Sequence, residues 1–433
     1  MDDIYAKFSE LYAIHDWYFC ENKNDKQDMM REIINEVTTL LDALPEDMII
    51  KRSAELSYIR GKSLNALDDN DVGAEDYLSR AIKLDPSNVH AWMAMGQYAW
   101  KKGDVIQAKH MFEESLKHNE TKEAYQDLSM ITRQFPARSR SSTEGDDDSV
   151  PQSRGEIMQK SIQLAKKAIS LDMNDHKSWY ILGNALCMNF FTVTNDIFDL
   201  NKALAAYKKS ESLGGDCNPD LFYNRGNVHR YLQNYSLAIE CYKQTFDIDP
   251  SSFSQTNDSL QDVTHFVHRV NDVTEHKGYI KKKKLAVILN NLQTSTYKES
   301  STCFKDLQNG SNTHTTISVK VLMIVTKASI PPECFVCVDS AGECAVVSIF
   351  HLSSDAPPLT PNQVVTIVNP VVNNEAFHIN APSGDTTLSS AAQTPPPALL
   401  IQVHQIENIK VDGRQINSKI MAAPQLKVDL FSS

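Results

Sequence analysis

The sequence predicts a multidomain protein in which an all-α superhelix of repeated helix pairs is followed by an all-β barrel. Two observations support this prediction. Between residues 53 and 250, small and aromatic residues recur at fixed offsets with a period of about 34 residues, as in helix–turn–helix repeats. After residue 310, β-branched residues alternate with polar ones between turn signals, which is typical of strands. A chain of 433 residues is long enough for both parts.

The repeat pattern is complete in two copies. Each has an aromatic residue, a glycine, an alanine and a second aromatic residue at the same offsets: Trp92, Gly96, Ala108 and Phe112, and then Phe222, Gly226, Ala238 and Tyr242. The glycine and alanine fit where two antiparallel helices cross closely, and the aromatic residues fill the wider gaps. This period and spacing are those of the tetratricopeptide repeat.

Three further copies, at 53–86, 122–173 and 176–207, are irregular. The second of them is split by an insertion at 137–153, which has no apolar periodicity and is predicted to be disordered. We therefore predict about five repeats in an array that covers 51–276. Helix pairs stacked in this way form a concave groove that binds extended segments of other proteins.

Repeat arrays need capping helices, because an end repeat exposes an apolar face. Amphipathic patterns at 4–19 and 27–44 predict two capping helices within 1–50, and the pattern at 255–276 predicts a cap at the other end. The stretch 188–201 is too apolar for a free loop, so we expect it to pack on the array.

The C-terminal region, 311–433, is predicted to be an OB-fold-like domain. The hairpin turn "DSAGE" at 339–343 and a Ser/Thr/Pro-rich loop at 380–397 separate its strands. The expected strands are 316–327, 333–339, 344–351, 363–369 and 398–412. Five strands in this length fit a five-stranded barrel, with a small sandwich as the alternative.

The composition of this barrel does not favour single-stranded nucleic acid. Between 317 and 430 there are six Lys and Arg residues against nine Asp and Glu, with no Trp or Tyr. Oligonucleotide binding uses stacking aromatics in a basic groove. Protein contact or structural support is therefore the favoured role, and oligonucleotide binding is the alternative.

A basic cluster opens the segment 277–310, which is predicted to link the two parts. It consists of Lys277, Lys281, Lys282, Lys283 and Lys284, in a chain whose net charge is −12. Such a run is either a solvated face or a contact for a polyanion, and the same composition serves nuclear localisation.

Several classes of function are disfavoured by the sequence. No apolar run approaches the ~20 residues of a membrane helix, so a soluble, intracellular protein without a membrane partner is expected. Cys334 and Cys337 would point to opposite faces of a strand, and no second such pair completes a metal site, so no metal or cofactor is expected. Since phosphate-binding glycine loops and hydrolase motifs are missing from the sequence, we expect no catalytic residues and no enzyme.

Five fragments of the sequence resemble a known family. "GKSLNAL", "AWKKGDV", "LSMITRQ", "SWYILGNAL" and "NPDLFYNR", joined to an OB-like C-terminus, are similar to the tetratricopeptide repeat protein 5 family, also called Strap, a stress-responsive coactivator. The resemblance implies recognition of the Met-Arg-Glu-Ile or Met-Arg-Glu-Cys start of nascent tubulin at the ribosome, followed by tubulin mRNA decay. It also implies an alternative role as a nuclear scaffold for histone acetyltransferase coactivator complexes in stress-responsive transcription.

The resemblance assigns roles to particular residues. Arg133 matches the peptide-contacting arginine of the family, Asp220 matches its acidic residue, and Lys281 and Lys283 match its ribosome-contacting residues. The stretch "SSFSQTND" after Pro250 departs from the family, which has an acidic contact residue there.

The positions of these residues within the repeats also favour a role in peptide binding. Arg133 and Asp220 fall at inward-facing positions of the first helices of their repeats. The other predicted groove residues are two asparagines that could hold a peptide backbone and three larger polar side chains: Asn184, Asn227, Tyr180, Tyr223 and Arg230.

We therefore expect a pairing of charges with the peptide. Asp220 would take the arginine of the peptide and Arg133 its glutamate. Lys281–Lys284 would add a ribosomal contact that raises the effective concentration. An mRNA-decay adaptor is a further expected partner, and the cytoplasm and the nucleus are the expected locations.

Overall fold

The computed structural model describes residues 1–20, 23–67, 72–136, 153–325, 332–350, 359–378 and 397–415. These residues belong to two compact units. The first consists of 1–224 and 244–255, and the second of 225–243 and the described part of 256–427. The insertion predicted to be disordered lies outside the described residues except for Ser153.

Within the described residues, five helix pairs make up the repeat array. Three helices precede them: α1 (Asp2–Trp17), α2 (Lys23–Asp42) and α3 (Glu46–Lys51). The pairs are α4 (Ser53–Asn65) with α5 (Val72–Leu84), α6 (Val89–Lys101) with α7 (Val105–His118), α8 (Lys122–Thr132) with α9 (Arg154–Leu171), α10 (His176–Asn189) with α11 (Ile197–Ser212), and α12 (Pro219–Tyr231) with α13 (Tyr235–Ile248).

The crossings of the paired helices explain the glycines of the repeat. A Cβ atom added to Gly96 would lie 2.4 Å from the Phe112 ring, and one added to Gly183 would lie 2.4 Å from the Tyr207 ring. Both rings are fully buried. The helices can therefore approach this closely only because the facing residue has no side chain.

Side-chain caps fix the starts of the helices that carry the candidate site. Thr121 caps α8 and Asp175 caps α10, each accepting a hydrogen bond from a backbone N–H of the first turn. At α9, Ser153 and Glu156 form a reciprocal capping box. These caps satisfy N–H groups that have no partner within the helix.

The apolar stretch between α10 and α11 is packed only in part. Residues Phe190–Thr194 form a π-helical turn in which Phe190 and Phe191 are buried, as the sequence predicts for this stretch. Phe198, in the first turn of α11, is instead 59% exposed. Because of this inserted turn, α11 begins later in its repeat than the second helices of the two complete repeats do.

Two helices follow the array. α14 (Phe253–Glu275) packs its Phe266 ring 5.4 Å from Tyr235 of α13 and buries Val263 and Val270. α15 (Lys282–Gln293) occupies much of the segment predicted as a linker. None of the described helices is long and apolar enough to cross a membrane.

The β part is a single sheet of nine strands among the described residues. They are β1 (Gly310–Ser311), β2 (Thr316–Ile324), β3 (Glu333–Val338), β4 (Cys344–Ile349), β5 (Val364–Val368), β6 (Val371–Asn373), β7 (Leu400–Val403), β8 (Ile409–Val411) and β9 (Arg414–Gln415). Their order is β1-β6-β7-β4-β3-β2-β5-β8-β9. All pairs are antiparallel except β4 with β7.

The alternation along the strands builds the barrel core. Ile317, Val319 and Val321 of β2 point into one apolar cluster together with Cys337. Cys334 lies on the other face of β3, with its Sγ 3.5 Å from the amide nitrogen of Gln233. The two cysteines therefore face opposite sides, as the spacing predicts.

Four of the five predicted strands are present as single strands. The fifth, 398–412, is wrong as one strand: the turn Ile406–Asn408 divides it into β7 and β8. The predicted hairpin at 339–343 joins β3 to β4. The short strands β1, β6 and β9 were not predicted, and 380–396 of the predicted loop lies outside the described residues.

Candidate functional site: a buried arginine in the repeat array

Arg133 follows the last turn of α8 and is almost completely buried. Its side chain is 1% exposed, and none of its three guanidinium nitrogens has a hydrogen-bond partner among the described residues. Its backbone is hydrogen-bonded: the carbonyl accepts from the Arg154 guanidinium at 3.0 Å, and the N–H donates to the carbonyl of Met130 at 3.3 Å. A buried cation that makes no hydrogen bond is costly, so this arrangement needs an explanation.

The surroundings of the Arg133 guanidinium come from α10 and α11. Burial lowers the pKa of Arg133 to about 10, while electrostatic interactions with Tyr180, Tyr207 and Cys187 act in the opposite direction. At neutral pH the group therefore keeps its proton and its charge. None of the largest influences on its pKa is a carboxylate, and its three guanidinium nitrogens have no hydrogen-bond partner among the described residues.

Asn184 connects the polar side chains beside Arg133. Its Oδ1 accepts hydrogen bonds from the Tyr207 hydroxyl at 2.7 Å and from Asn224 Nδ2 at 3.2 Å. Asn224 Nδ2 also donates to the Tyr180 hydroxyl at 3.1 Å. Asn184 Nδ2 has no partner among the described residues. We refer to these residues as the buried polar cluster: Arg133, Tyr180, Asn184, Cys187, Tyr207 and Asn224.

Asp220 brings a negative charge to the same region. It lies in the first turn of α12 and is exposed to solvent. Although the residue as a whole is exposed, loss of water around its carboxyl group raises the pKa of that group, and the neighbouring carboxylate of Asp249 raises it further. Tyr180 interacts electrostatically with both Asp220 and Arg133. The hydroxyl of Tyr180 thus lies within the electrostatic influence of an acidic and a basic residue.

Charged side chains of alternating sign also lie on the first helices of earlier repeats. Asp127 of α8 is 4% exposed and accepts a hydrogen bond from Gln97 Nε2 at 3.0 Å. Burial raises the pKa of its carboxyl group, while Lys177 of α10 and Lys62 of α4 lower it. The first helices of these repeats thus carry side chains of both charges that influence one another.

The N-terminal helix α1 reaches two of these repeats. The Tyr12 hydroxyl donates to the backbone carbonyl of Lys62 on α4 at 2.9 Å, and the Trp17 ring lies 6.1 Å from the His176 ring of α10. A cleft of about 210 Å³ adjoins the end of α1. Its lining residues are His15, Tyr18, Phe19, Cys20, Lys26, Gln27, Met30, Asp249 and Ser251.

The remaining predicted groove residues are buried or half-buried. Tyr223 and Arg230 are half-buried on α12. Asn227 is 4% exposed, and its Oδ1 accepts a hydrogen bond from the Tyr242 hydroxyl at 2.9 Å. Its Nδ2, like that of Asn184, has no partner among the described residues. Asn227 and Arg230 belong to the second compact unit, whereas the buried polar cluster belongs to the first.

The basic residues of the predicted polyanion contact lie at the start of α15. Lys281 is the N-cap residue, and Lys282, Lys283 and Lys284 form the first turn. All four side chains are exposed. Because a helix N-terminus carries partial positive charge, cations there are unfavourable unless an anion binds.

Sequence reasoning missed the partners of the predicted residues. It treated Tyr207 only as a packing residue, and it did not consider Asn224 or Cys187. One signal was present for Tyr207. In two repeats the glycine of the first helix is followed by asparagine and the second helix carries tyrosine, whereas the Phe112 repeat has Gln97 after its glycine.

Comparison with known proteins identifies the family. Residues 298–425 match the model of the tetratricopeptide repeat protein 5 OB fold domain, and 219–252 match the tetratricopeptide repeat. Tetratricopeptide repeat protein 5 of Mus musculus is 30% identical over 438 residues, which cover 96% of this chain and 94% of that protein. The chain belongs to the tetratricopeptide repeat protein 5 family. The Homo sapiens member is 29% identical over 412 residues, 90% of each chain.

Solved repeat proteins are similar to about half of the chain. YrrB, a TPR protein with an unusual peptide-binding site, is 19% identical, with a TM-score of 0.33 and coverage of 50% of this chain and 96% of its own. A thermophilic TPR protein of Thermus thermophilus, TTC0263, is 15% identical, with a TM-score of 0.38 and coverage of 48% and 98%.

Membership of the family supports the coarse assignment of function. The chain is a repeat scaffold of the kind that binds other proteins, joined to an OB-fold domain. Among the described residues, no group of three or more His, Cys, Asp or Glu side chains could hold a metal ion.

Proposed function

We propose that this chain is a non-enzymatic adaptor whose repeat groove binds the N-terminus of nascent tubulin, Met-Arg-Glu-Ile or Met-Arg-Glu-Cys, at the ribosome and thereby triggers tubulin mRNA decay. The observation that carries the proposal is the buried guanidinium of Arg133, which has no partner among the described residues. The family membership supports the adaptor role, and the chemistry of the groove supports the choice of peptide.

The charge on Arg133 favours an acidic ligand. A guanidinium offers five N–H donors in a planar fork that matches a carboxylate. Burial without a hydrogen bond leaves all of that capacity unused, and a glutamate side chain of a bound peptide would satisfy it. Because Arg133 is 1% exposed, the carboxylate can enter only when the side chains above the guanidinium move aside.

Asp220 favours a basic residue next to that glutamate in the peptide. Its carboxylate and the Arg133 guanidinium both influence the pKa of Tyr180, so both charges act on one side chain. In an extended peptide, neighbouring residues rise about 3.3–3.6 Å along the chain and point to opposite sides. The arginine of an Arg-Glu pair can therefore bind Asp220 while the glutamate binds Arg133. Asn184 Nδ2 is available to donate a hydrogen bond to a peptide carbonyl.

The basic residues Lys281–Lys284 would provide the second contact, to ribosomal RNA or an acidic ribosomal surface. A four-residue recognition sequence binds modestly, and a linked electrostatic contact raises its effective concentration. Binding of this kind belongs in the cytoplasm, where an mRNA-decay adaptor would be recruited. The same lysines would serve entry into the nucleus.

A peptide titration tests the pairing of charges. Fluorescence anisotropy of a labelled peptide with a free Met-Arg-Glu-Ile N-terminus should show saturable binding that Arg133→Met weakens by about 10–100-fold, since a hydrogen bond to a charged group contributes ~1.5–3 kcal/mol. Replacing the glutamate of the peptide by glutamine should weaken binding to the wild-type chain and have little further effect on the variant.

The controls separate the groove from general electrostatics. Asp220→Asn should weaken binding of the peptide, whereas Asp216→Asn, a matched change at an exposed position nearby, should not. Lys281→Glu with Lys283→Glu should preserve peptide binding and abolish co-sedimentation with ribosomes. A folded chain that binds no peptide, or an Arg133→Met variant that binds it as well as the wild type, contradicts the proposal.

A further inference from the structure

A second concave surface lies on the array, between α9, α10 and α11. It is a cleft of about 460 Å³, lined by Gln159, Ile162, Lys166, Trp179, Leu182, Leu186, Asn189, Asp199, Lys202, Ala205, Ala206 and Lys209. None of these residues belongs to the buried polar cluster. We call this surface the lysine-rimmed cleft.

Exposed apolar side chains adjoin the lysine-rimmed cleft. Met173 is 68% exposed, and its backbone carbonyl accepts a hydrogen bond from Trp179 Nε1 at 2.9 Å. Phe198 is 59% exposed, and the Lys202 ammonium lies 4.3 Å from the centre of its ring. Exposed apolar surface beside a concave, charged rim is a feature of protein-binding sites.

The charged residues of the cleft are mainly basic, in a chain whose net charge is −12. Its one carboxylate, Asp199, already accepts hydrogen bonds from Asn189 Nδ2 and Thr194 Oγ1, both at 2.8 Å, and lies 3.5 Å from Lys202. Lys166 and Lys209 have no ion-pair partner within the described ranges. Two positive charges on the rim are therefore available to a ligand.

The floor of the cleft holds a polar atom without a partner. Asn189 is 2% exposed, and its Oδ1 accepts no hydrogen bond from any described residue. The Nδ2 atom of the same amide is fixed by Asp199, which orients the side chain. A buried acceptor of this kind requires an N–H donor, and a backbone amide of an extended segment can supply one.

We propose that the lysine-rimmed cleft binds an acidic segment of a partner protein that inserts a bulky apolar side chain. The apolar side chain packs against Leu182, Leu186 and Trp179 on the floor. The flanking Asp or Glu residues pair with Lys166 and Lys209. A backbone N–H of the segment donates to Asn189 Oδ1. This surface is separate from the groove at Arg133, so the chain can hold two protein segments at once.

Selection from a phage-displayed peptide library tests the proposal. The full chain is the bait, and the matched variants change two neighbouring pairs of lysines on the same helices. Lys166→Glu with Lys209→Glu reverses the charges of the rim. Lys167→Glu with Lys208→Glu makes the same change of net charge at exposed positions that do not line the cleft.

We expect the selected peptides to combine Asp and Glu with Leu, Phe or Trp. A synthetic copy of the most enriched peptide should lose about tenfold in affinity for the rim variant and keep its affinity for the control variant, since two paired charges become repulsive. Ala205→Trp, at an exposed position on the wall of the cleft, should also block binding.

Three results would overturn the inference. One is a selection that yields no acidic peptide with a bulky apolar residue. Another is an equal loss of affinity in the rim and control variants, which would indicate non-specific attraction. The third is competition by the Met-Arg-Glu-Ile peptide, which would assign the selected peptides to the other groove.

Discussion

At the scale of single residues, hydrogen bonds to tyrosine explain why two asparagines occupy their positions in the first helices. Asn184 accepts a hydrogen bond from Tyr207 at 2.7 Å, and Asn227 accepts one from Tyr242 at 2.9 Å. Each asparagine follows the glycine of a first helix, and each tyrosine lies on the paired second helix. The same Asn–Tyr pair therefore occurs in two repeats. In each, the Oδ1 atom of the asparagine is used to hold the two helices together. Only the Nδ2 atoms remain for a ligand.

Arg133 differs from these residues, because no hydrogen bond to its guanidinium from the described residues offsets the cost of burying it. Replacing it by Met, which has similar length and no charge, should raise the free energy of unfolding by about 1–3 kcal/mol while weakening peptide binding. Urea-induced unfolding of the variant, compared with the wild-type chain, measures this change.

Arg154 is the matched control for that measurement. Its guanidinium donates to the backbone carbonyls of Arg133 and Phe135, at 3.0 and 3.1 Å. Arg154→Met should therefore lower the free energy of unfolding, by about 1–2 kcal/mol. Equal destabilisation by the two substitutions would show that the Arg133 guanidinium has stabilising partners that its hydrogen bonding does not reveal.

At the scale of helices, the close crossing of α10 and α11 limits which residues the array accepts. Gly183→Ala should lower the free energy of unfolding by about 1–3 kcal/mol, because the new methyl group would overlap the buried Tyr207 ring. Thermal unfolding followed by circular dichroism gives the shift in midpoint.

Gly155→Ala is the control for the crossing. An added Cβ there would lie 3.6 Å from Val193, an ordinary contact in the first turn of α9. The substitution should be neutral or stabilising by up to about 1 kcal/mol, because alanine is the better helix former. If both variants lose the same stability, flexibility of the backbone rather than helix crossing explains the requirement for glycine.

The elements that could be predicted from the sequence are those with a period. The five helix pairs follow from the spacing of Gly96 and Phe112 and its copies, because the same crossing is repeated. The division of the strand predicted at 398–412 was missed, although the alternation of "ALLIQVHQIENIKVD" is broken by the polar pairs His404-Gln405 and Glu407-Asn408 at the turn Ile406–Asn408. The helix α15 was also missed, because four adjacent lysines oppose a helix start.

The candidate site could be predicted only in part. The resemblance and the repeat positions identified Arg133 and Asp220, but not that Arg133 would be 1% exposed. Its burial depends on how α10 and α11 stack against α8. That stacking is a tertiary property, and the local sequence pattern around Arg133 does not encode it.

At the scale of the whole molecule, buried ionisable groups set the response to acid. Burial lowers the pKa of His229 to about 4, from an ordinary value of 6.5. The unfolded chain therefore binds a proton on this histidine at a higher pH than the folded chain does. The stability that His229 contributes is complete above pH 6.5 and is lost as the pH falls towards 4. Asp127, whose pKa is raised by burial, acts in the opposite direction.

We expect the free energy of unfolding to decrease by about 3 kcal/mol from this histidine alone between pH 6.5 and pH 4. Urea-induced unfolding at several pH values, on the wild-type chain and on His229→Gln, isolates the contribution, since the other groups are common to both. Parallel pH profiles for the two chains would contradict this assignment.

Two cysteines of the array differ in how a thiol reagent can reach them. Cys187 is fully buried, its Sγ lies 3.4 Å from the Tyr207 hydroxyl, and burial raises the pKa of its thiol to about 12. Cys217 is exposed. Alkylation of Cys187 therefore waits for α10 and α11 to separate, whereas that of Cys217 does not. The rate at which Cys187 is alkylated would therefore report how often α10 and α11 separate, and the rate at Cys217 would serve as the internal reference.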